Sequence, residues 1–216
     1  PAEGIELYFG LDGNFPNHEA NPIDPQNLVD LQAAVKQHGA DIGLAFDGDA
    51  DRCFVVDERG ELVNPSTLTA LIASQELQRV PGAPVIHDLS ACRAVPEIIA
   101  ENGGVPVVTR VGHSFIKATM AETGAVFGGE HSGHFYFRDF WRADSGMLAA
   151  LHVLSSLSAN PPGTRLSQTL EPFSRYVLSG EINTEVADQA AATQAVREHF
   201  EGREVTFSDL DGLTVD

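Results

Sequence analysis

Three aspartates alternate with small residues in Asp47-Gly48-Asp49-Ala50-Asp51, and Arg52 follows them directly. Apolar residues occupy 42–46 and 53–56, so the acidic segment is predicted to be a loop between two strands. Three carboxylates that point at one place suit a hard dication such as Mg²⁺. A guanidinium beside them could hold a phosphate through two hydrogen bonds. The pattern therefore indicates a metal site for phosphoryl transfer, with Asp47, Asp49 and Asp51 as ligands.

Two other interpretations of this acidic loop remain open from its residues. Asp47, Asp49, Asp51 and Glu58 fall at positions 1, 3, 5 and 12 of a calcium-binding EF-hand loop. That loop needs glycine at position 6, where this chain has Arg52, and a strand pattern follows. A calcium-binding module without enzymatic activity is thus one alternative, and a solvated acidic turn is the other.

A second polar segment, 109–117, joins a predicted strand to a predicted helix. Backbone N–H groups at such a helix start attract anions. Arg110, His113, Ser114 and Lys117 could add donors at the same point, which makes Arg110 and His113 candidate substrate-binding residues. Ser114 could equally be an ordinary helix N-cap.

A third polar loop, 128–134, separates two apolar strand patterns and contains Glu130, Ser132 and His134. Glutamate and serine side chains can hydrogen-bond sugar hydroxyls, and a histidine can move a proton near neutral pH. A zinc site formed by His113, His131 and His134 is an alternative, although no cysteine accompanies these histidines.

The rest of the chain alternates short strand patterns with helices of about ten residues. This alternation predicts an α/β fold with mixed, mainly parallel sheets and flanking helices, followed by a partial α+β domain. The predicted strands are 5–9, 42–46, 53–57, 61–63, 85–88, 105–109, 125–128, 134–140, 176–182, 205–207 and 213–215. The predicted helices start at 25 and 65, include 95–99 and 115–120, and cover 147–157 and 187–200. The best linker candidate is 159–163.

Composition narrows the partners and the compartment. The 216 residues carry a net charge of −18, which argues against nucleic acid and anionic membranes as partners. No apolar stretch approaches the roughly 20 residues of a membrane span. Two cysteines cannot build a disulfide framework, so a reduced, cytoplasmic setting is expected. The chain starts and ends within strand patterns, which predicts a fragment of a longer protein.

The three loops, in this order and spacing, resemble those of the α-D-phosphohexomutases, especially the bacterial phosphomannomutase/phosphoglucomutase branch. The segment 11–18 is also similar to that family's second domain. The resemblance implies that 1–63 is the latter part of domain 2, that 64–162 is domain 3, and that 163–216 is a linker and the start of domain 4. The phosphoserine domain would be missing, so the fragment alone is expected to be inactive.

The resemblance also implies roles for individual residues on a phosphosugar substrate. Mg²⁺ would bridge Asp47, Asp49 and Asp51 to the phosphoserine. Glu130 and Ser132 would hold two sugar hydroxyls, while Arg52, Lys117 and His134 would take part in catalysis. Those hydroxyls have one configuration in glucose and mannose, so the loop does not choose between the two sugars.

Two positions depart from the family pattern. The family often has Asp-Asp-Gly where this chain has Asp144-Ser145-Gly146, so no role is carried over to Ser145. Phosphoglucosamine mutases usually have glutamine at the position of His131, which disfavours glucosamine phosphate as an alternative substrate.

Overall fold

Two sheets with flanking helices account for most of the regular structure in residues 3–180 and 182–216, the part of the chain that the computed structural model describes. The fold is mixed α/β with mixed sheets and flanking helices, as the sequence predicts, but the sheets are not mainly parallel: among the described residues two strand pairings are parallel and five are antiparallel. The helices are α1 Val29–His38, α2 Pro65–Arg79, α3 Ala94–Glu101, α4 His113–Thr123, α5 Gly146–Ala159, α6 Leu166–Leu170 and α7 Gln189–Phe200. The strands are β1 Ile42–Phe46, β2 Cys53–Asp57, β3 Leu62–Val63, β4 Pro84–Asp88, β5 Val105–Thr109, β6 Phe127–Gly129, β7 Phe135–Phe137, β8 Ala143–Asp144, β9 Phe207–Ser208 and β10 Thr214–Val215.

The first sheet is antiparallel and has the order β1-β2-β3. Phe46 pairs with Cys53 at the end of the β1–β2 hairpin, so the acidic loop is the connection between these two strands. Every residue of β2 is buried, whereas β1 is mostly half-buried against α1. The loop therefore starts and ends on well-anchored backbone.

The second sheet has the order β5-β4-β6-β7-β8. Strand β4 is parallel to β5 and to β6, while β6–β7 and β7–β8 are antiparallel. The carboxyl ends of β4, β5 and β6 therefore meet at one edge of the sheet, where α/β proteins usually bind ligands. The loops that follow β5 and β6 are the second and third polar loops of the sequence.

Helix α2 lies in the middle of the main core and is buried along most of its length. It begins after Asn64, whose side chain accepts a hydrogen bond from the Ser66 N–H, and Pro65 occupies the first helical position. It packs against α3, α5 and β6. A Cβ on Gly129 of β6 would lie 2.4 Å from Thr69 Oγ1, so glycine permits this close helix–strand contact.

Two predicted strands are wrong. Residues 5–9 form no strand, and neither do the described residues of 176–182; Glu181, like Pro1 and Ala2, lies outside the described residues. Both segments have strand-like composition, but strands need a partner for their backbone groups, and no strand pairing among the described residues involves them.

Other boundaries shift by a few residues. The strand predicted over 134–140 ends at Phe137, where a turn with positive φ at Trp141 and Arg142 leads into the unpredicted β8.

Within the described residues, no helix has the length and apolar character needed to cross a lipid bilayer.

Candidate active site

The acidic loop brings its three carboxylates together. One oxygen from each of Asp47, Asp49 and Asp51 lies within 4.8 Å of the others, so the set has the spacing of metal ligands. Ala50 takes a positive φ of 60°, and its N–H donates to the Asp47 carbonyl at 3.2 Å, which closes a tight turn. The turn places alternate side chains on one side of the loop.

Arg52 is fixed inside this loop. Its Nε donates to Asp47 Oδ2 at 2.6 Å, and its backbone N–H donates to Asp47 Oδ1 at 3.1 Å. A terminal guanidinium nitrogen lies 3.5 Å from Asn21 Oδ1. The Arg52 side chain as a whole is 23% exposed.

The protonation of the loop follows from these contacts. Burial alone would raise the pKa of Asp47, but the hydrogen bonds from Arg52 outweigh burial and lower it. Burial and the neighbouring carboxylate of Asp47 raise the pKa of Asp51 to about 6. Asp51 Oδ1 is buried and has no hydrogen-bond partner among the residues that the structure describes. Since a buried, unpartnered carboxylate oxygen is costly, this atom would be satisfied by a cation.

The third loop lies directly against the acidic loop. Arg52 and His134 form an antiparallel bridge, and the Cys53 N–H donates to the Gly133 carbonyl at 3.1 Å. His134 Nε2 lies 3.5 Å from Asp51 Oδ1. The predicted metal and sugar-binding loops are therefore parts of one continuous site.

Glu130 is almost fully buried in this site, with 2% of its surface exposed. It accepts hydrogen bonds from Tyr136 Oη at 2.6 Å and from the Gly112 N–H at 2.9 Å. Burial would raise the pKa of Glu130, but hydrogen bonds from His134, Tyr136 and Gly112 lower it. The carboxylate is thus held ionised and can accept further hydrogen bonds.

His134 links the residues of the third loop. Its Nδ1 lies 3.0 Å from Ser132 Oγ and 3.4 Å from Glu130 Oε2. Burial opposes protonation of His134, but Glu130 and Asp51 outweigh burial and raise its pKa. The ring can therefore carry a proton near neutral pH.

Lys117 projects from α4 toward the same site. Its Nζ lies 2.9 Å from Asp144 Oδ1 and 5.7 Å from the centre of the Tyr136 ring. Asp144 Oδ2 is 3.9 Å from His134 Nε2. The sequence analysis gave Asp144 no role and did not single out Tyr136, since neither lies in one of the three polar loops.

Arg110 and His113 lie at the edge of this site. Arg110 Nε and a terminal nitrogen donate to Asp211 Oδ1 at 3.1 and 3.0 Å, and the Val111 N–H donates to Asp211 Oδ2 at 3.1 Å. The guanidinium also lies 4.6 Å from the centre of the Phe115 ring. His113 is exposed at the first position of α4. The structure thus gives Arg110 an internal carboxylate partner that the sequence did not reveal.

Two alternatives from the sequence do not fit this geometry. Glu58 accepts hydrogen bonds from the hydroxyl and the N–H of Ser167, at 2.6 and 3.1 Å, so it is not part of a calcium-binding loop. In the described parts of the chain, the clusters with metal-ligand spacing are Asp47–Asp49–Asp51 and Asp51–His134–Asp144. Neither contains His113 or His131, which leaves the three-histidine zinc site without support.

Ser145 caps α5, because its Oγ accepts from the Leu148 N–H at 3.2 Å.

Comparisons with known proteins identify the family to which the chain belongs. The family model described as phosphoglucomutase/phosphomannomutase alpha/beta/alpha domain III matches residues 64–176, and the model of domain II matches residues 1–60. A phosphomannomutase of Vibrio cholerae is 39% identical over 218 residues, covering 100% of this chain and 47% of the relative. A phosphomannomutase/phosphoglucomutase of Pseudomonas syringae is 40% identical over 217 residues, covering 99% of this chain and 46% of the relative.

A solved structure shows the same fold. The crystal structure of a phosphoglucomutase/phosphomannomutase family protein from Burkholderia thailandensis superposes with a TM-score of 0.85 at 35% identity. The match covers 98% of this chain and 45% of that one. The chain therefore spans about half the length of the relatives it matches.

Proposed function

Because the chain belongs to the phosphoglucomutase/phosphomannomutase family, we propose that its protein interconverts hexose 1-phosphate and hexose 6-phosphate, with mannose or glucose as the sugar. A phosphoserine would give its phosphoryl group to the free hydroxyl of the substrate, producing a 1,6-bisphosphate. The other phosphoryl group would then return to the serine. Such chemistry depends mostly on positioning and on charge stabilisation.

One observation supports this proposal most strongly: the acidic loop and the Glu130–His134 turn are joined through the bridge between Arg52 and His134. A phosphomutase needs a metal and a phosphate next to the sugar hydroxyl that accepts or loses the phosphoryl group. The contact between the two loops supports the proposal, because it joins the backbone that carries the proposed metal ligands to the backbone that carries the proposed sugar-binding groups.

The residues of the acidic loop fit a magnesium ion. Three carboxylates lie close together, and within the described part of the chain the buried Asp51 Oδ1 accepts no hydrogen bond. Oxygen ligands of this kind suit Mg²⁺, with Asp47, Asp49 and Asp51 as the proposed ligands. When bound, the ion would stabilise negative charge on the transferring phosphoryl group.

The remaining groups would bind and orient the substrate. Glu130 and Ser132 would hydrogen-bond two sugar hydroxyls, with Glu130 fixed in place by Tyr136 and Gly112. His134 and Lys117 would hold or move a proton at the reacting hydroxyl. Arg52, Arg110 and His113 would face phosphate groups, Arg110 after exchanging its contact with Asp211 for the substrate.

An assay of the protein in its full natural length tests the proposal. Wild-type protein with Mg²⁺ and a hexose 1,6-bisphosphate primer should convert mannose 1-phosphate or glucose 1-phosphate, and Asp51→Asn should lose at least about 100-fold in rate, as for loss of one charge-stabilising group. Asp139→Asn is a matched control, since the Asp139 side chain is 61% exposed and forms ion pairs with Arg79 and Arg138. Absence of conversion by the wild type would refute the proposal. Preference for glucosamine 6-phosphate over both sugars would instead favour a phosphoglucosamine mutase.

Several further expectations belong to the same proposal. We assign 1–63 to family domain 2, 64–162 to domain 3, and 163–216 to a linker and the start of domain 4. The 216 residues do not include the family's phosphoserine loop, so this polypeptide alone should not turn over substrate. The thiols Cys53 and Cys92 are free, which fits a cytoplasmic enzyme. Its partners would be phosphosugars rather than nucleic acid or membranes.

A further inference from the structure

Asp144 lies between two residues proposed to act on the substrate. Its Oδ1 is 2.9 Å from Lys117 Nζ, and its Oδ2 is 3.9 Å from His134 Nε2. The Asp144 side chain is 10% exposed, whereas that of Lys117 is 39% exposed. One nearly buried carboxylate therefore contacts a lysine from α4 and faces the histidine of the third loop.

The carboxylate of Asp144 is not needed to hold its own strand. The backbone of β8 pairs with β7, where Tyr136 lies opposite Asp144. The next N–H, that of Ser145, donates to the Phe135 carbonyl at 3.0 Å. The strand is thus fixed by backbone hydrogen bonds, and the side chain is free to serve another purpose.

Asp144 is the third carboxylate near His134, and its negative charge would weaken the binding of an anionic substrate. Asp51, Glu130 and Asp144 all lie within 4 Å of His134. A phosphorylated sugar would meet additional negative charge from Asp144 unless a cation compensates for it. Lys117 is the nearer cation, at 2.9 Å from Asp144 Oδ1, whereas His134 Nε2 is 3.9 Å from Asp144 Oδ2.

Lysine side chains are flexible, and an unpaired ammonium at a surface samples many rotamers. Here the Asp144 carboxylate and the Tyr136 ring confine Lys117 from two sides. We infer that Asp144 is a positioning residue, which holds the Lys117 ammonium against the site so that it faces the reacting end of the substrate. This inference rests on the proposed phosphomutase function and adds Asp144 to the residues on which that function depends.

A double-mutant cycle on the protein in its full natural length tests the inference. The variants are Asp144→Asn, Lys117→Met and both together, with kcat/KM for hexose 1-phosphate as the readout. Asp144→Asn should lower kcat/KM about tenfold when Lys117 is present and less than about twofold in the Lys117→Met background, because a residue that acts through another has no effect once that other is gone. Asp139→Asn, a change of the same chemistry on the neighbouring exposed turn, should leave kcat/KM unchanged.

A purely structural role for Asp144 would give a different pattern. Equal losses in both backgrounds, or no loss from Asp144→Asn alone, would overturn the inference. Thermal melting of each variant identifies a folding defect, and a second cycle with Asp144→Ser repeats the test if Asp144→Asn is unstable. A wild type with no mutase activity would refute the proposed function and this inference with it, whereas an active wild type with additive losses would refute the inference alone.

Discussion

Replacing Gly146 with alanine should push the acidic loop out of place. Gly146 is the first residue of α5, and its N–H donates to the Ala50 carbonyl at 3.1 Å. A Cβ at this position would lie 2.4 Å from the Arg52 carbonyl oxygen and 2.9 Å from the Ala50 carbonyl oxygen. Both are backbone atoms, so relief requires movement of the loop or of the helix start by about 1 Å, given that nonbonded heavy atoms are optimally 3.5–4.0 Å apart.

The size of the effect follows from this overlap. Overpacking of this kind costs about 1–3 kcal/mol. For a chain of this length each kcal/mol lowers the melting temperature by about 2–4 °C, so the expected decrease is about 2–12 °C. Helix propensity alone would predict the opposite sign, because alanine is favoured over glycine in helices. Movement of the carboxylates should also weaken metal binding about 10- to 100-fold, as for loss of groups that orient metal ligands.

Thermal melting by circular dichroism measures the first effect, and titration with Mn²⁺ followed by electron paramagnetic resonance measures the second. Gly48→Ala is the control for stability, since its Cβ would be 3.6 Å from the Phe15 ring, an ordinary contact. If Gly146→Ala melts within 1 °C of wild type, as judged against the expected range, and binds Mn²⁺ equally well, the close approach of α5 does not position the loop.

Two further predictions concern contacts that reach across the chain. Burial would raise the pKa of Glu58, but hydrogen bonds from Ser167 lower it, so this contact stabilises the fold above the pKa of an unfolded glutamate, about 4.3. Glu58→Gln should therefore reduce the melting temperature at pH 7, and the difference from wild type should shrink as the pH falls below that value. A difference in melting temperature that does not change with pH would contradict this cause. Asp211→Asn should lower the KM for hexose phosphate, because Arg110 would no longer have to leave an internal carboxylate in order to bind the substrate. The control is Asp209→Asn, since the wild-type Asp209 carboxylate pairs with Arg197 and not with Arg110. An unchanged KM for Asp211→Asn would mean that Arg110 does not bind the phosphate.

Local patterns predicted the elements that build the site. The acidic loop lies between two apolar strands, and the parallel strands β4, β5 and β6 alternate with helices whose apolar spacing is regular. These features depend on neighbouring residues, which a sequence displays directly. The helix start predicted near residue 65 is local as well, because Asn64 caps α2 and Pro65 occupies its first position.

Features that depend on distant partners could not be predicted in this way. Arg110 contacts Asp211 across 101 positions, and no local pattern marks such a pair. Strand β8 has two residues, which is too short for a periodic signal, so neither the strand nor a role for Asp144 was predicted. The strand predicted over 5–9 was wrong because a strand also needs a partner. The composition of this segment favours a strand, but no strand pairing among the described residues includes it.

Two backbone contacts join the acidic loop to the third loop: the bridge between Arg52 and His134, and the hydrogen bond from the Cys53 N–H to the Gly133 carbonyl. They make the hairpin loop and the turn a single rigid platform, whose ligand spacing is fixed when the chain folds. Ordering this platform therefore adds little entropic cost to ligand capture. Adjustment to differently shaped sugars would then fall to groups with fewer backbone anchors, such as the exposed His113 and the side chain of Arg110.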